Sequence, residues 1–174
     1  AAAYAAKGPA HSALDPAQIA AAEREMLEPF ERPSGPDPYS IHRKLQDSMQ
    51  SLVGIYRNEE DLTKGIEEVR KLKGEWKVVR VEGSRAFNPG WHLAHDLKNM
   101  LMISEAVAAC ALQRKESRGA HARLDFPNTM PEFGNVNSVV TLDGDTVRIS
   151  QSPLSPMPDE LRSLFEPEPA GVKA

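Results

Sequence analysis

The sequence predicts a mainly α-helical protein, an antiparallel three-helix bundle that is followed by a small C-terminal β-hairpin and by extended tails. Three segments repeat apolar residues at spacings of three and four, as one face of an amphipathic helix does. Each segment follows a helix-start signal, and short connections join them, which is typical of antiparallel neighbours in a bundle. Near the C-terminus, β-branched residues flank Asp143 and Gly144, and Asp-Gly is the favoured turn of a hairpin.

Residues 1–36 are expected to hold the end of a preceding domain, a short helix and a proline-rich linker. The opening Ala-rich run has no initiator Met and stops at Gly8 like the last turns of a helix, which suggests a chain cut from something larger. Asp15 then caps a helix that is expected to end near Glu28. An extended linker is predicted from the prolines that follow: Pro29, Pro33, Pro36 and Pro38.

Residues 37–127 are expected to form the helical bundle domain. The predicted helices are 38–57, 58–73 and one of roughly seven turns that begins at Asn88. Gly74 is interpreted as the stop of the second helix, and residues 77–81 as a short extended piece. The apolar face of the third helix is predicted to consist of Leu93, Leu97, Met100, Leu101, Ser104, Ala108, Ala111 and Leu112.

Residues 128–174 are expected to hold the β-hairpin and a proline-rich tail. The strands are predicted on either side of the Asp143-Gly144 turn, and a short turn of helix is predicted around residues 159–165. A two-stranded hairpin is marginally stable by itself, so this one is expected to lie against another part of the protein.

Composition excludes several classes of function. The net charge of −4 gives no general attraction to nucleic acid. Cys110 is the single cysteine, so the chain has no internal disulfide and no Cys-based zinc cluster, which suits a reducing compartment. No apolar run approaches the roughly 20 residues that cross a bilayer, and no signal peptide is visible.

The most informative stretch runs from Arg114 to Pro127, after the third bundle helix. Gly119 is interpreted as the break that ends this helix, because glycine tolerates a positive φ. The stretch resembles the C-terminal signature of the succinate dehydrogenase/fumarate reductase flavoprotein subunit, Arg-x-Glu-Ser-Arg-Gly-Ala-His-x-Arg-x-Asp-x-Pro. The matching residues are Arg114, Glu116, Ser117, Arg118, Gly119, Ala120, His121, Arg123, Asp125 and Pro127. L-aspartate oxidases end similarly, but they usually carry a bulkier residue at the position of Ala120.

The resemblance covers residues 39–127 and extends loosely through the hairpin. It implies a parent oxidoreductase that interconverts succinate and fumarate, in which FAD accepts a hydride and passes electrons singly to an iron–sulfur subunit. It also implies a cytoplasmic location, peripheral to the inner face of the cell membrane through partner subunits. In that family the flavin site and the dicarboxylate-binding residues lie upstream of the matching segment. No catalytic, cofactor-binding or metal-binding residue is therefore assigned in this chain, and it contains no Gly-x-Gly-x-x-Gly turn.

A docking surface is the role we expect for the charged stretch, with the upstream FAD-binding domain or the iron–sulfur subunit as partner. The candidate interface residues are Arg114, Glu116, Ser117, Arg118, His121, Arg123 and Asp125. A general-base role for His121 is an alternative, since neighbouring arginines would lower its pKa and Asp125 would raise it, but a structural or interface histidine is favoured.

Three alternatives have other consequences. A phosphate or nucleic-acid site at the basic residues is disfavoured, because acidic residues are interleaved with them and stacking aromatics are not. A metal at His92, His95 and Asp96 is disfavoured because a zinc site needs three or four convergent ligands. The main rival function is a stand-alone helical protein-interaction module without enzymatic activity.

Overall fold

The computed structural model describes residues 6–8, 15–162 and 164, and these are mainly helical with a small antiparallel β-hairpin. The helices are α1 (Pro16–Glu31), α2 (Pro38–Leu52), α3 (Glu59–Trp76), α4 (Pro89–Gln113), α5 (Pro131–Gly134) and α6 (Asp159–Arg162). The strands are β1 (Tyr56–Arg57), β2 (Ala122–Arg123), β3 (Val136–Asp143) and β4 (Thr146–Pro153). The expected helix at the start of the chain falls largely on residues 1–5, which lie outside the described residues.

The four long helices start where the sequence predicts. Asp15, Asp37, Asn58 and Asn88 are their N-caps, and each side chain accepts a hydrogen bond from a backbone N–H of the first turn. These side chains satisfy donors that a helix leaves unpaired at its N-terminus. The N-cap signals therefore predict the starts of these helices correctly.

The predicted ends of α1, α2 and α3 are wrong. Helix α1 continues through Pro29 to Glu31. Pro29 is buried, and its carbonyl accepts a hydrogen bond from the backbone N–H of Val81 at 2.8 Å. Helix α2 ends at Leu52 instead of near residue 57, because the chain turns at Gly54 and then enters strand β1. Helix α3 runs through Gly74, which costs a helix only about 1 kcal/mol relative to alanine and is overridden by tertiary packing.

The core lies between α2, α3 and α4, which contact one another in all three pairs. Val79 and Val81 complete it, although the segment that carries them begins as a turn and not as the predicted extended piece. The larger buried cluster contains Ile41, Leu45, Val69, Leu72, Val79, Val81, Ala94, Leu97 and Leu101. A second cluster, nearer the end of α4, contains Val53, Leu62, Ile66, Ala108 and Ala111.

The buried face of α4 differs from the prediction at two positions. Met100 is exposed, whereas Glu105 is buried on the side that faces α3. Arg70 and Lys73 of α3 donate to the Glu105 carboxylate at 2.7 and 2.8 Å. Burial raises the pKa of Glu105, but the hydrogen bonds and charges of Lys73 and Arg70 together outweigh it, so the pKa is lowered. The helical periodicity predicts a glutamate at this position to be exposed, and the two cations instead allow it to lie charged between α4 and α3.

The hairpin forms as predicted and lies against the helices. Asp143 pairs with Thr146, and Gly144 has the positive φ of 58° that this turn requires. Lys77 of α3's C-terminal turn donates to the Asp145 carboxylate at 3.1 Å, which holds the tip of the hairpin against the helices. Of the predicted helical turn at 159–165, α6 is described and Phe165 lies outside the described residues.

No helix in the described ranges combines the length and the apolar composition that crossing a membrane requires.

Candidate interface at the charged corner

The segment from Arg114 to Asp125, here called the charged corner, starts where α4 ends. Helix α4 stops at Gln113, six residues before the predicted break at Gly119. Gly119 lies instead in a tight turn, in which the backbones of Arg118 and His121 exchange two hydrogen bonds of 2.9 and 3.0 Å. A β-carbon on Gly119 would meet no atom, so its φ of +59° is what favours glycine here.

A short parallel ladder ties the charged corner to the start of α3. Strand β2 pairs with β1, with Tyr56 opposite Ala122 and Arg57 opposite Arg123. The backbone of Leu124 donates to the Arg57 carbonyl at 2.8 Å. Residues that are far apart in sequence are thereby brought to one site.

Arg123 is the centre of the charged corner, and its side chain is fully buried. Its Nε and Nη2 donate to the two carboxylate oxygens of Asp125 at 2.7 and 2.8 Å. Its Nη1 donates to the carbonyls of Ala111, Leu112 and Arg114 at 3.0, 3.1 and 3.3 Å. These carbonyls belong to the C-terminal end of α4, where a helix leaves acceptors unpaired and where positive charge is favourable. Arg123 therefore caps α4 with a side chain from outside the helix.

Glu116 is the second fully buried charge. It accepts from Arg114 Nε at 2.8 Å, from Arg118 Nε at 2.9 Å and from the backbone N–H of Met130 at 2.8 Å. The Arg118 hydrogen bond is the largest of the effects that lower the pKa of Glu116, which falls to about 2 although burial opposes the shift. The carboxylate is therefore charged and fully partnered at neutral pH.

Ser117 and Asp125 connect these groups to the surrounding backbone. The Ser117 hydroxyl accepts from the Arg123 backbone N–H at 2.8 Å and donates to the Phe126 carbonyl at 2.9 Å. Asp125 also accepts from the backbone N–H of Glu59, the first residue of α3, at 3.0 Å. Its hydrogen bonds with Arg123 are the main reason that the pKa of Asp125 falls to about 2.

His121 is held by one group on each ring nitrogen. Nδ1 lies 2.7 Å from Arg57 Nη1, and Nε2 lies 3.0 Å from the Arg114 carbonyl oxygen. Because a guanidinium can only donate and a carbonyl can only accept, Nδ1 must be the bare nitrogen and Nε2 must carry the proton. Burial and then the nearby arginines lower the pKa of His121, although its contact with the Arg114 carbonyl opposes this. Its basic nitrogen is therefore engaged by Arg57.

All seven candidate interface residues lie in this corner, and most of their polar groups bind each other. Arg114, Glu116 and Arg118 form one cluster, whereas Ser117, Arg123 and Asp125 form another. Arg57, which joins His121 from 64 residues upstream, was missed, because no sequence signal marks a contact over that separation. The interface role of the seven residues stays a prediction.

Of the three residues considered for a metal, His95 contacts α1. His95 Nε2 lies 3.1 Å from the Met26 carbonyl, and Trp91 donates to the same oxygen at 2.7 Å. No three His, Cys, Asp or Glu side chains in the described part of the chain come together in a way that could hold a metal ion.

A family model described as the fumarate reductase flavoprotein C-terminus matches residues 42–164, which is most of the chain. The chain belongs to the fumarate reductase flavoprotein C-terminal family. The predicted resemblance is thereby confirmed, and the charged corner lies inside the matched segment.

Relatives and solved structures agree with this family. The fumarate reductase flavoprotein subunit of Mycobacterium tuberculosis is 35% identical over 117 residues, which are 66% of this chain and 20% of that protein. The fumarate reductase flavoprotein subunit of Escherichia coli is 33% identical over 119 residues, which are 68% of this chain and 20% of that protein. The structure of Mycobacterium smegmatis Sdh1 in complex with UQ1 superposes with a TM-score of 0.86 at 38% identity, covering 95% of this chain and 28% of that one. This chain thus spans about a fifth of the length of its curated relatives.

The starts of the four long helices differ from helix starts that hold a dinucleotide. A dinucleotide is usually held where a glycine-rich turn leaves the N–H groups of a helix N-terminus free for the pyrophosphate. Here each of the four long helices begins at an Asp or Asn N-cap whose side chain already accepts from one N–H of the first turn, and no Gly-x-Gly-x-x-Gly turn precedes any of them. No step of flavin chemistry is assigned to this chain.

Proposed function

We propose that this chain acts as the C-terminal helical domain of a FAD-dependent flavoprotein subunit that interconverts succinate and fumarate. The single observation that carries the proposal is the unbroken motif of the charged corner within the matched segment. In the proposed parent protein, FAD lies in an upstream domain and passes electrons to an iron–sulfur subunit. The complex works in the tricarboxylic acid cycle and in electron transport, on the inner face of the cell membrane and held there by partner subunits.

The proposed division of the chain follows the predicted boundaries. Residues 37–127 act as the bundle domain, with α2, α3 and α4 as antiparallel neighbours. Residues 1–36 connect this bundle to a preceding domain, and residues 128–174 form the hairpin and tail. Support comes from the mutual contacts of the three helices and from the β1–β2 ladder, which closes the bundle at its far end.

Within this function, the charged corner contributes to domain packing and subunit assembly. Its most exposed arginine is Arg118, whose side chain keeps 43% of its surface accessible while it binds Glu116. We expect Arg118→Ala in the full-length flavoprotein to weaken subunit assembly or flavin retention and to leave the isolated 174-residue chain folded. Arg24→Ala, at an exposed arginine of α1, is the matched control. Unchanged assembly and flavin content in Arg118→Ala would contradict the interface role.

The size of the native polypeptide tests the function as a whole. An antibody raised against this chain should detect a protein several times larger than 19.1 kDa in the source cells, with bound flavin. A native protein of 19.1 kDa without flavin would instead support the stand-alone interaction module.

A further inference from the structure

A solvent-open groove of about 470 Å³ runs between α4 and strand β3 and borders the charged corner. Arg57 and His121 lie at one end of it. Ile103 and Val107 of α4 form one wall, and Ser138 and Val140 of β3 belong to the other. We call this feature the Arg57 groove. None of the residues just named except His121 was a candidate from the sequence.

The guanidinium of Arg57 is the one arginine head group at this site that no described carboxylate pairs with. Its Nε donates to the carbonyls of Val53 and Gly54 at 3.2 and 2.6 Å, and Nη1 points to His121. Arg114 and Arg118 share Glu116, and Arg123 binds Asp125. Those partners are neutral, so the half-buried guanidinium loses hydration without gaining an opposite charge, and a carboxylate there would be favourable.

Both walls of the Arg57 groove carry exposed apolar residues. Ile103 and Val107 lie one turn apart on α4 and keep 60% and 43% of their surface accessible, and Val140 faces them from β3 with 39%. Apolar side chains of another molecule would gain by covering these residues, because burial removes apolar surface from water. The ligand that fits both features carries a carboxylate next to apolar groups.

A polypeptide fits the Arg57 groove better than a small organic acid does. The groove is open, whereas small-molecule sites bury most of their ligand. Strand β3 is paired along one edge only, with β4, within the part of the chain that the structure describes, and an extended polypeptide can pair with such an edge. The curated relatives are about five times as long as the matched segment, so a parent protein would have ample polypeptide to supply the contact.

We propose that the Arg57 groove docks a polypeptide segment from the part of the flavoprotein outside this chain, with an Asp or Glu carboxylate on Arg57 and apolar side chains over Ile103 and Val107. This inference rests on the proposed function and deepens it. It assigns a contact surface that is adjacent to the charged corner and whose chemistry is set by an arginine that pairs with no carboxylate among the described residues.

Cys110 provides the first test, since it lines the Arg57 groove and is the only cysteine in the sequence of this chain. Its alkylation by iodoacetamide, followed by mass spectrometry of the peptide that contains it, should be at least about tenfold slower in the full-length flavoprotein than in the 174-residue chain. Arg57→Gln should remove about half or more of that protection, because charge-assisted hydrogen bonds are among the stronger contacts at an interface. Arg43→Gln, at an exposed arginine of α2, is the matched control and should keep the protection.

Two results of the alkylation experiment would overturn the proposal. Equal reactivity of Cys110 in both proteins would show that the groove is not covered. Full protection in Arg57→Gln would show that the covering segment does not use Arg57. Circular dichroism of each variant confirms that the helices are retained before its alkylation rate is compared.

A second test uses the 174-residue chain by itself, so that it gives an answer even if the proposed function fails. The probes are acetyl-Leu-Glu-Leu-amide, its Gln analogue and sodium acetate, and the readout is the NMR shift of the Arg57 Nε–H. We expect the Glu peptide to bind about tenfold more tightly than the Gln peptide or acetate, because it alone combines the charge with apolar flanks. Equal binding by acetate would make this a small-anion site, and no binding of the Glu peptide would remove the inferred chemistry; either result overturns the proposal. A native protein of 19.1 kDa would refute the proposed function, whereas peptide binding to the 174-residue chain tests the chemistry of the groove independently.

Discussion

Arg57 and Arg123 occupy opposite positions of the same two-residue ladder, yet the protein uses them differently. Arg123 is fully buried and binds a carboxylate and three helix carbonyls. Arg57 is half-buried and lines an open groove without a carboxylate partner among the described residues. An arginine's role therefore depends on whether the fold supplies its counter-ion. Arg123 has one and stabilises the fold, whereas Arg57 is available to a carboxylate of another segment.

Replacing Arg123 should give the largest loss of stability. Arg123→Met removes the cap on α4 and the ion-pair partner of Asp125. Because Asp125 keeps 30% of its side chain accessible and its bond from the Glu59 N–H, we expect a loss of about 3 kcal/mol, the low end of the cost of breaking a buried ion pair. The free energy of unfolding from urea denaturation measures the loss. Arg43→Met, at an exposed arginine, should stay within about 0.5 kcal/mol of the parent protein. A loss of less than about 1 kcal/mol for Arg123→Met would contradict the role of a buried cap.

Glu116→Gln should be the next most damaging change. The amide keeps the shape of the carboxylate but removes the negative charge between Arg114 and Arg118, so we expect a loss of about 2 kcal/mol in the free energy of unfolding. The same urea experiment measures it. Glu132→Gln, on the exposed α5, serves as the control. If both glutamine variants unfold at the same urea concentration, the buried cluster does not stabilise the fold.

Lowering the pH should reduce the stability of the protein, because it protonates the buried or partly buried carboxylates of Glu116 and Asp125. The pKa of Glu116 falls from 4.5 to about 2 on folding, and that of Asp125 falls from 3.8 to about 2. Because the folded pKa is the lower one in each case, the stabilisation is complete above the unfolded pKa and is lost as the pH falls from about 4.5 toward 2. Urea midpoints at pH 6, 4 and 3 should decline over this range. The decline should be shallower in Glu116→Gln, and equal slopes would contradict the assignment to Glu116.

Arg57→Gln should change stability least, by no more than about 1 kcal/mol. The lost hydrogen bonds to Val53, Gly54 and His121 are offset because an uncompensated, half-buried charge disappears. Thermal unfolding and urea denaturation measure the change. A loss as large as that of Arg123→Met would mean that both arginines are structural, and it would remove the contrast between them.

Local chemistry made the helix starts and the hairpin predictable. Three helix starts are marked by N-cap residues whose side chains accept a hydrogen bond from the first turn, namely Asp37, Asn58 and Asn88. The hairpin turn at Asp143-Gly144 forms because glycine can adopt a positive φ. These signals act within a few residues, so the sequence displays them directly. The predicted charged corner likewise follows from a contiguous motif.

Long-range contacts explain what the sequence could not show. Helix α2 was predicted to include Arg57, but pairing with residues about 65 positions later draws Tyr56 and Arg57 into strand β1. Met100 fits the helical period and is nevertheless exposed, whereas Glu105 is buried because Arg70 and Lys73 reach it from α3. The Arg57 groove was missed for the same reason, since it exists only once α4, β1 and β3 are brought together.

The β1–β2 ladder also constrains the order in which the protein folds. It joins segments on either side of α3 and α4, so closing it early would restrict a long loop before any packing had offset the lost chain entropy. Formation of the helices and docking of α3 on α4 shorten that loop, after which the ladder can form with a smaller loss of chain entropy. Arg123→Met should therefore accelerate unfolding more than it slows refolding, as expected for a contact made after the transition state. The two strands, of only two residues each, would then help to set the unfolding rate of the native state.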